Sequence, residues 1–164
     1  MLLIFFSFKS YARKIPKKMK GLQYGYYLRY ENGVKMQDGR SLNLMFGRVR
    51  KSSFDRGLNI ELDYEQCCDE DKYSWSNISI LYSINYNLLL NNFQPYVGFS
   101  TGLGTDYTFV LPLYTRVGMN LYLFNKFSII IEYSYKFNIA FGDEDMAPYN
   151  YMTSGLSFGL KLYY

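Results

Sequence analysis

Near the middle of an apolar run, "KFSIIIEYSYKFNIAFG" (residues 126–142), the chain carries two charges, Glu132 and Lys136. A carboxylate and an ammonium in such a setting are either reacting groups or members of ion pairs, because an isolated buried charge is strongly disfavoured. Glu61 and Asp63 raise the same question: two carboxylates on one face of a segment could serve as a general acid and a general base. The chain contains no histidine. Ser-His-Asp and Cys-His catalysis, histidine-ligated zinc and the histidine proton switch are therefore excluded. With cations available on the same faces, ion-pair packing accounts for these carboxylates, and no catalytic residue is expected.

The other chemistry-bearing stretches read the same way. In "CCDED" (residues 67–71), Cys67, Cys68, Asp69 and Asp71 offer thiolate and carboxylate donors, but neighbouring side chains diverge and the next acidic group, "DED" (143–145), is on another loop. Adjacent cysteines also lack the spacing of a CxxC pair. A solvated acidic loop is expected there, with no metal and no cofactor. "GFSTGLG" (98–104) resembles a phosphate loop only superficially: its glycines fall at alternate positions of a strand pattern, which makes them spacing elements.

Apolar residues recur at every second position from Leu22 onward, which is the strand period. Leu22, Tyr24, Tyr26, Leu28 and Tyr30 share one face; so do Leu58, Ile60, Leu62 and Tyr64, and then Ile78, Ile80, Tyr82, Ile84, Tyr86 and Leu88. Similar sets begin at Val97, Leu113, Phe127 and Met152, while 41–49 forms a weaker member because Met45 and Val49 blur the alternation. The pattern predicts an all-β domain, an eight-stranded antiparallel up-and-down barrel. Short connections ("RKSSFDR", "NNFQ", "NK") alternate with ones read as longer and more polar loops ("NGVKMQDGR", "CCDEDKYSW", "GTDYTF", "DEDMAPYN").

Alternation does not say which face points outward. The polar face is mostly Gly, Ser, Asn and Tyr rather than the Lys, Glu, Gln and Thr of a solvated exterior, and the apolar face is almost uncharged. That combination predicts a transmembrane barrel with a polar lumen, its Tyr and Phe residues girdling the ends of the strands. The inward charges are then Arg29, Arg116, Lys136 and Lys161 against Glu31, Glu61, Asp63 and Glu132, a balanced four against four. Residues 1–12, "MLLIFFSFKSYA", read as an export signal truncated of its basic start, 13–21 as a basic periplasmic lead-in, and 22–164 as the barrel. The net charge of +4 is concentrated in 9–20, off the patterned part of the chain, so no direct nucleic-acid contact is expected.

In "YARKIPKKMKGL", in "NKFSIIIEYSYKFNIAFGDED" and in the closing "SGLSFGLKLYY", the chain resembles the small bacterial outer-membrane β-barrels and, more narrowly, TraO-type conjugal transfer proteins. The resemblance implies a non-enzymatic outer-membrane protein of a DNA-transfer apparatus, surrounded by lipid and meeting protein partners through its longer loops. The alternatives are a small porin-like channel and a soluble lipocalin-like carrier. A membrane barrel should need detergent to stay in solution and should migrate faster on a gel before heating than after; a carrier would remain soluble in buffer alone.

Overall fold

The computed structural model describes residues 18–31, 33–49, 54–66, 73–88, 93–106, 108–124, 126–141 and 150–164. Eight strands follow in chain order: β1 (Met19–Glu31), β2 (Val34–Val49), β3 (Phe54–Gln66), β4 (Tyr73–Asn87), β5 (Phe93–Asp106), β6 (Thr108–Phe124), β7 (Phe127–Phe141) and β8 (Tyr151–Tyr163). Each pairs antiparallel with its sequence neighbour, and β8 returns to β1 to close the barrel. The closing seam runs unbroken from Met19↔Tyr163 to Glu31↔Tyr151, and Lys18 and Tyr164 exchange backbone hydrogen bonds beyond it, at 3.1 and 3.0 Å.

From Leu22 onward the period-two reading separates most described strand residues into two environments, with register shifts at Arg29/Tyr30, Asp63/Tyr64 and Tyr122/Phe124. Outward side chains are apolar and open to the surroundings: Ile80 is 59% exposed and Phe158 53%. Inward ones are polar and buried, including Asn59, Ser79, Ser100, Asn120 and Asn138. This inverts a soluble barrel and removes the carrier alternative, because a contiguous apolar exterior of this extent is stable only against lipid. On β8 the outward apolar set runs from Met152 to Leu162; at ~3.4 Å per residue and ~40° of tilt it spans ~26 Å, the height of a membrane belt.

Several boundaries differ from the sequence expectation. β1 opens at Met19, three residues before Leu22, because Met19, Lys20 and Gly21 continue the seam opposite Tyr163, Leu162 and Lys161. "NGVKMQDGR" is not a loop: β2 begins at Val34, directly opposite Glu31, and the reversal is made at Gly33, whose φ of 79° favours glycine. Asn-Gly is the favoured dipeptide of such a two-residue hairpin. "GTDYTF" is likewise almost all strand, with β5 ending at Asp106 and β6 starting at Thr108. Met45 points inward and is buried, so β2 keeps its alternation with an apolar side chain on the lumen face. Tyr82 and Tyr133 lie in the middle of their strands, so the aromatic residues are not confined to girdles.

Introducing a charge on the outer face tests its solvent. Phe158→Arg, between Tyr24 and Ile131 on the neighbouring strands, should destabilise the folded barrel by about 2–4 kcal/mol in lipid, measured by reversible unfolding in vesicles. A change below about 0.5 kcal/mol would place that face in water.

Candidate functional site

The lumen is where the barrel concentrates its ionisable groups, and glycine makes room for the larger ones. A Cβ at Gly118 would stand 2.6 Å from the ring of Tyr96, so only glycine lets that ring lie flat across β6. Tyr96 then points its hydroxyl at Glu132 Oε2, 2.5 Å away.

All eight residues expected in the lumen network face inward, but they form separate groups. The first group surrounds Lys136, whose Nζ lies 2.9 Å from Glu61 Oε1 and 2.6 Å from Asp63 Oδ2. Tyr114 donates its hydroxyl to the same Glu61 oxygen, and Asn77 donates to Asp63 at 3.2 Å. One ammonium thus sits between two carboxylates, and neutral donors serve their remaining lone pairs. A second group joins Arg29 to Glu31 and Glu65, both at 2.9 Å, with the guanidinium stacked 3.7 Å from the ring of Tyr151. The third holds Glu132 through Tyr96, Gln23 at 3.2 Å and Arg116 at 3.8 Å, while Arg116 also donates to Asn85 at 3.1 Å. Glu132 and Lys136 are therefore not each other's partners.

Lys161, 2% exposed, stands apart from these three groups, with Asp55 as the carboxylate within its electrostatic reach. Its Nζ donates to Asn120 at 3.0 Å and lies 5.2 Å from the ring centre of Tyr96. The expected four-against-four balance also fails. Asp55 and Glu65 are buried in the lumen as well, so the described inward charges number six carboxylates and four cations. Glu65 was legible on the polar face of its segment; Asp55 was missed because "RKSSFDR" reads as a connection, whereas β3 begins at Phe54. On the outer face of β2, Lys35 pairs with Asp38 Oδ1 at 2.8 Å, and Tyr26 donates its hydroxyl to Asp38 Oδ2 at 2.6 Å.

Between these groups the lumen is filled. Met45, Tyr96 and Ile130 form an apolar cluster, and Leu81, Val110 and Tyr114 are also buried. Among the described residues, a cavity bordered by Gln23, Glu61, Tyr114, Arg116, Glu132 and Lys136 measures about 30 Å³. That is space for about two water molecules. Among the described residues, no group of three or more potential ligands is placed to hold a metal ion. Cys67, Cys68, Asp69 and Asp71 lie outside the described residues, as do 1–17.

The closed eight-stranded barrel with an apolar exterior and a packed polar lumen is that of the small outer-membrane β-barrels. Among solved structures the chain is similar to Neisserial surface protein A (NspA), with a TM-score of 0.69 at 14% identity over 90% of this chain and 97% of that one. It is also similar to a de novo designed transmembrane β-barrel, with a TM-score of 0.53 at 10% identity over 92% and 98% of the two chains. For OprG from Pseudomonas aeruginosa the TM-score is 0.49 at 10% identity, over 93% and 97%. No family model matches the chain, and no curated protein matches its sequence.

The division of the lumen into groups sets an order of costs. Lys136→Met should destabilise the barrel by about 3–5 kcal/mol, because Glu61 and Asp63 lose the cation they share. Lys161→Met, which removes a donor from a neutral amide and a cation near Asp55 rather than one bonded to two carboxylates, should cost less, about 1–3 kcal/mol. Urea unfolding in lipid compares the two; equal costs would show that the lumen charges act as one network.

Proposed function

We propose that the protein works in the bacterial outer membrane as a non-catalytic interaction component, with its binding surface at the rim opposite the chain termini. The observation that carries this reading is a pair of aromatic side chains beyond the belt. Phe109 and Phe141 pair directly across β6 and β7 and are 68% and 56% exposed. Fourteen positions separate Phe141 from Phe127 at the other end of β7; at ~3.4 Å per residue and ~40° of tilt, that is ~37 Å. A hydrocarbon layer is about 25–30 Å thick, so this pair stands clear of it. Aromatic side chains held rigidly beyond the hydrocarbon layer are suited to recognition at the membrane surface. The large side chains packed in the lumen, Tyr96, Tyr114, Met45 and Ile130 among them, support an interaction role over a porin-like one.

Within that role, the resemblance of "NKFSIIIEYSYKFNIAFGDED" and "SGLSFGLKLYY" to TraO-type proteins supports an envelope part in conjugative DNA transfer. Deleting the gene from a donor strain should lower transfer frequency, and a Phe109→Asp/Phe141→Asp variant that still folds should fail to restore it. Wild-type transfer from the deleted donor would remove the conjugation reading. Steady conductance of the purified protein in planar bilayers would instead favour the channel.

A further inference from the structure

The two rims carry different charges on their outer faces. At the rim opposite the termini, Lys35 and Arg40 are accompanied by Asp38. At the terminal rim the outward charges are Lys18, Lys20, Arg48, Arg56 and Lys126, all exposed and all cationic. Among the described residues Asp38 is the sole carboxylate on the outer face, so none of these five cations has an acidic partner there. They lie on one arc, from the turn before β7 through β8, β1 and β2 to β3, whereas the corresponding edge of β4 and β5 presents Tyr86, Leu88 and Phe93.

Within the arc, Arg48 and Arg56 are directly opposite each other in the β2–β3 ladder. Side chains in that relation have Cβ atoms only about 4.5–5.5 Å apart, and like charges so placed repel. Each guanidinium stands above an apolar wall: Phe46 precedes Arg48 by one outward position, Phe54 and Leu58 flank Arg56, and Ile84 lies across from it on β4. Two planar forks with no carboxylate to share suit a phosphate, which accepts several N–H donors at once. The apolar wall beneath them suits an acyl chain.

We propose that the terminal rim is a binding surface for an anionic phospholipid, its phosphate held between Arg48 and Arg56 and its acyl chains lying along Phe46, Leu58 and Ile84. The bound lipid would relieve the repulsion between the two arginines and make the lipid leaflet at this rim part of the protein's recognised surroundings. The location is separate from the aromatic pair at the other rim, so failure of either reading leaves the other standing.

Native mass spectrometry of the folded protein in detergent, with equal dioleoylphosphatidylglycerol and dioleoylphosphatidylcholine added, tests this directly. The wild-type protein should retain phosphatidylglycerol preferentially, and more weakly as salt is raised. Arg48→Gln/Arg56→Gln should reduce the ratio of the two retained lipids by about thirtyfold, the loss for two cations near an anionic surface. Arg48→Lys/Arg56→Lys should keep most of the preference, and Lys35→Gln at the other rim should leave it unchanged. Heat-dependent gel migration verifies that each variant is folded; if the double variant does not fold, the wild-type ratio and its salt dependence decide alone. An unselective wild-type protein, a ratio insensitive to the arginines, or displacement of the lipid by millimolar inorganic phosphate would overturn the proposal.

Discussion

A peptide group facing hydrocarbon has no water to bond with, and this single constraint organises the molecule. Each unsatisfied N–H or C=O in that environment costs several kcal/mol, so a sheet there must close on itself. The β1–β8 seam, thirteen pairs from Met19↔Tyr163 to Glu31↔Tyr151 without a register shift, removes the two edges that an open sheet would leave. Closure also forces the division of faces. Once the ring is shut, alternate residues are sent either to lipid or into a narrow lumen, and the apolar and polar sets follow from that geometry.

The narrow lumen then dictates how its charges are arranged. With eight strands there is width for side chains but not for a layer of water around each ion. Charged groups must therefore find partners among themselves or among neutral donors. Lys136 between Glu61 and Asp63, and Arg29 between Glu31 and Glu65, are local solutions of this kind. Glu132 is held mainly by neutral donors, Tyr96 and Gln23, with Arg116 further away. Such arrangements serve packing and specificity more than they add net stability, since the cost of desolvating the ions offsets most of their attraction.

With the interior filled, the distinctive chemistry falls at the rims. The far rim combines exposed aromatic residues with charges of both signs, while the terminal rim pairs cations with apolar walls. Two surfaces of such different character, on either side of one belt, give the cylinder a direction in the membrane.

Much of this was legible in the linear chain. Alternation from Leu22 to Tyr164 determined most of the strand content, most of the outward set and the inward position of Glu132 and Lys136, because side chains in a regular strand alternate between its two faces. The hairpin at Gly33 was read as part of a longer loop, because the polar residues after Asn-Gly resemble a loop when the partner strand is unknown. Asp55 was lost in the same way, since where a strand begins depends on what it pairs with. Which charges meet could not be read at all. Lys136 reaches carboxylates 75 and 73 positions earlier rather than Glu132 on its own strand, and Arg48 meets Arg56 across a ladder. Parity is local and survives in one dimension, whereas partnership depends on register and closure, which exist only once the strands are joined.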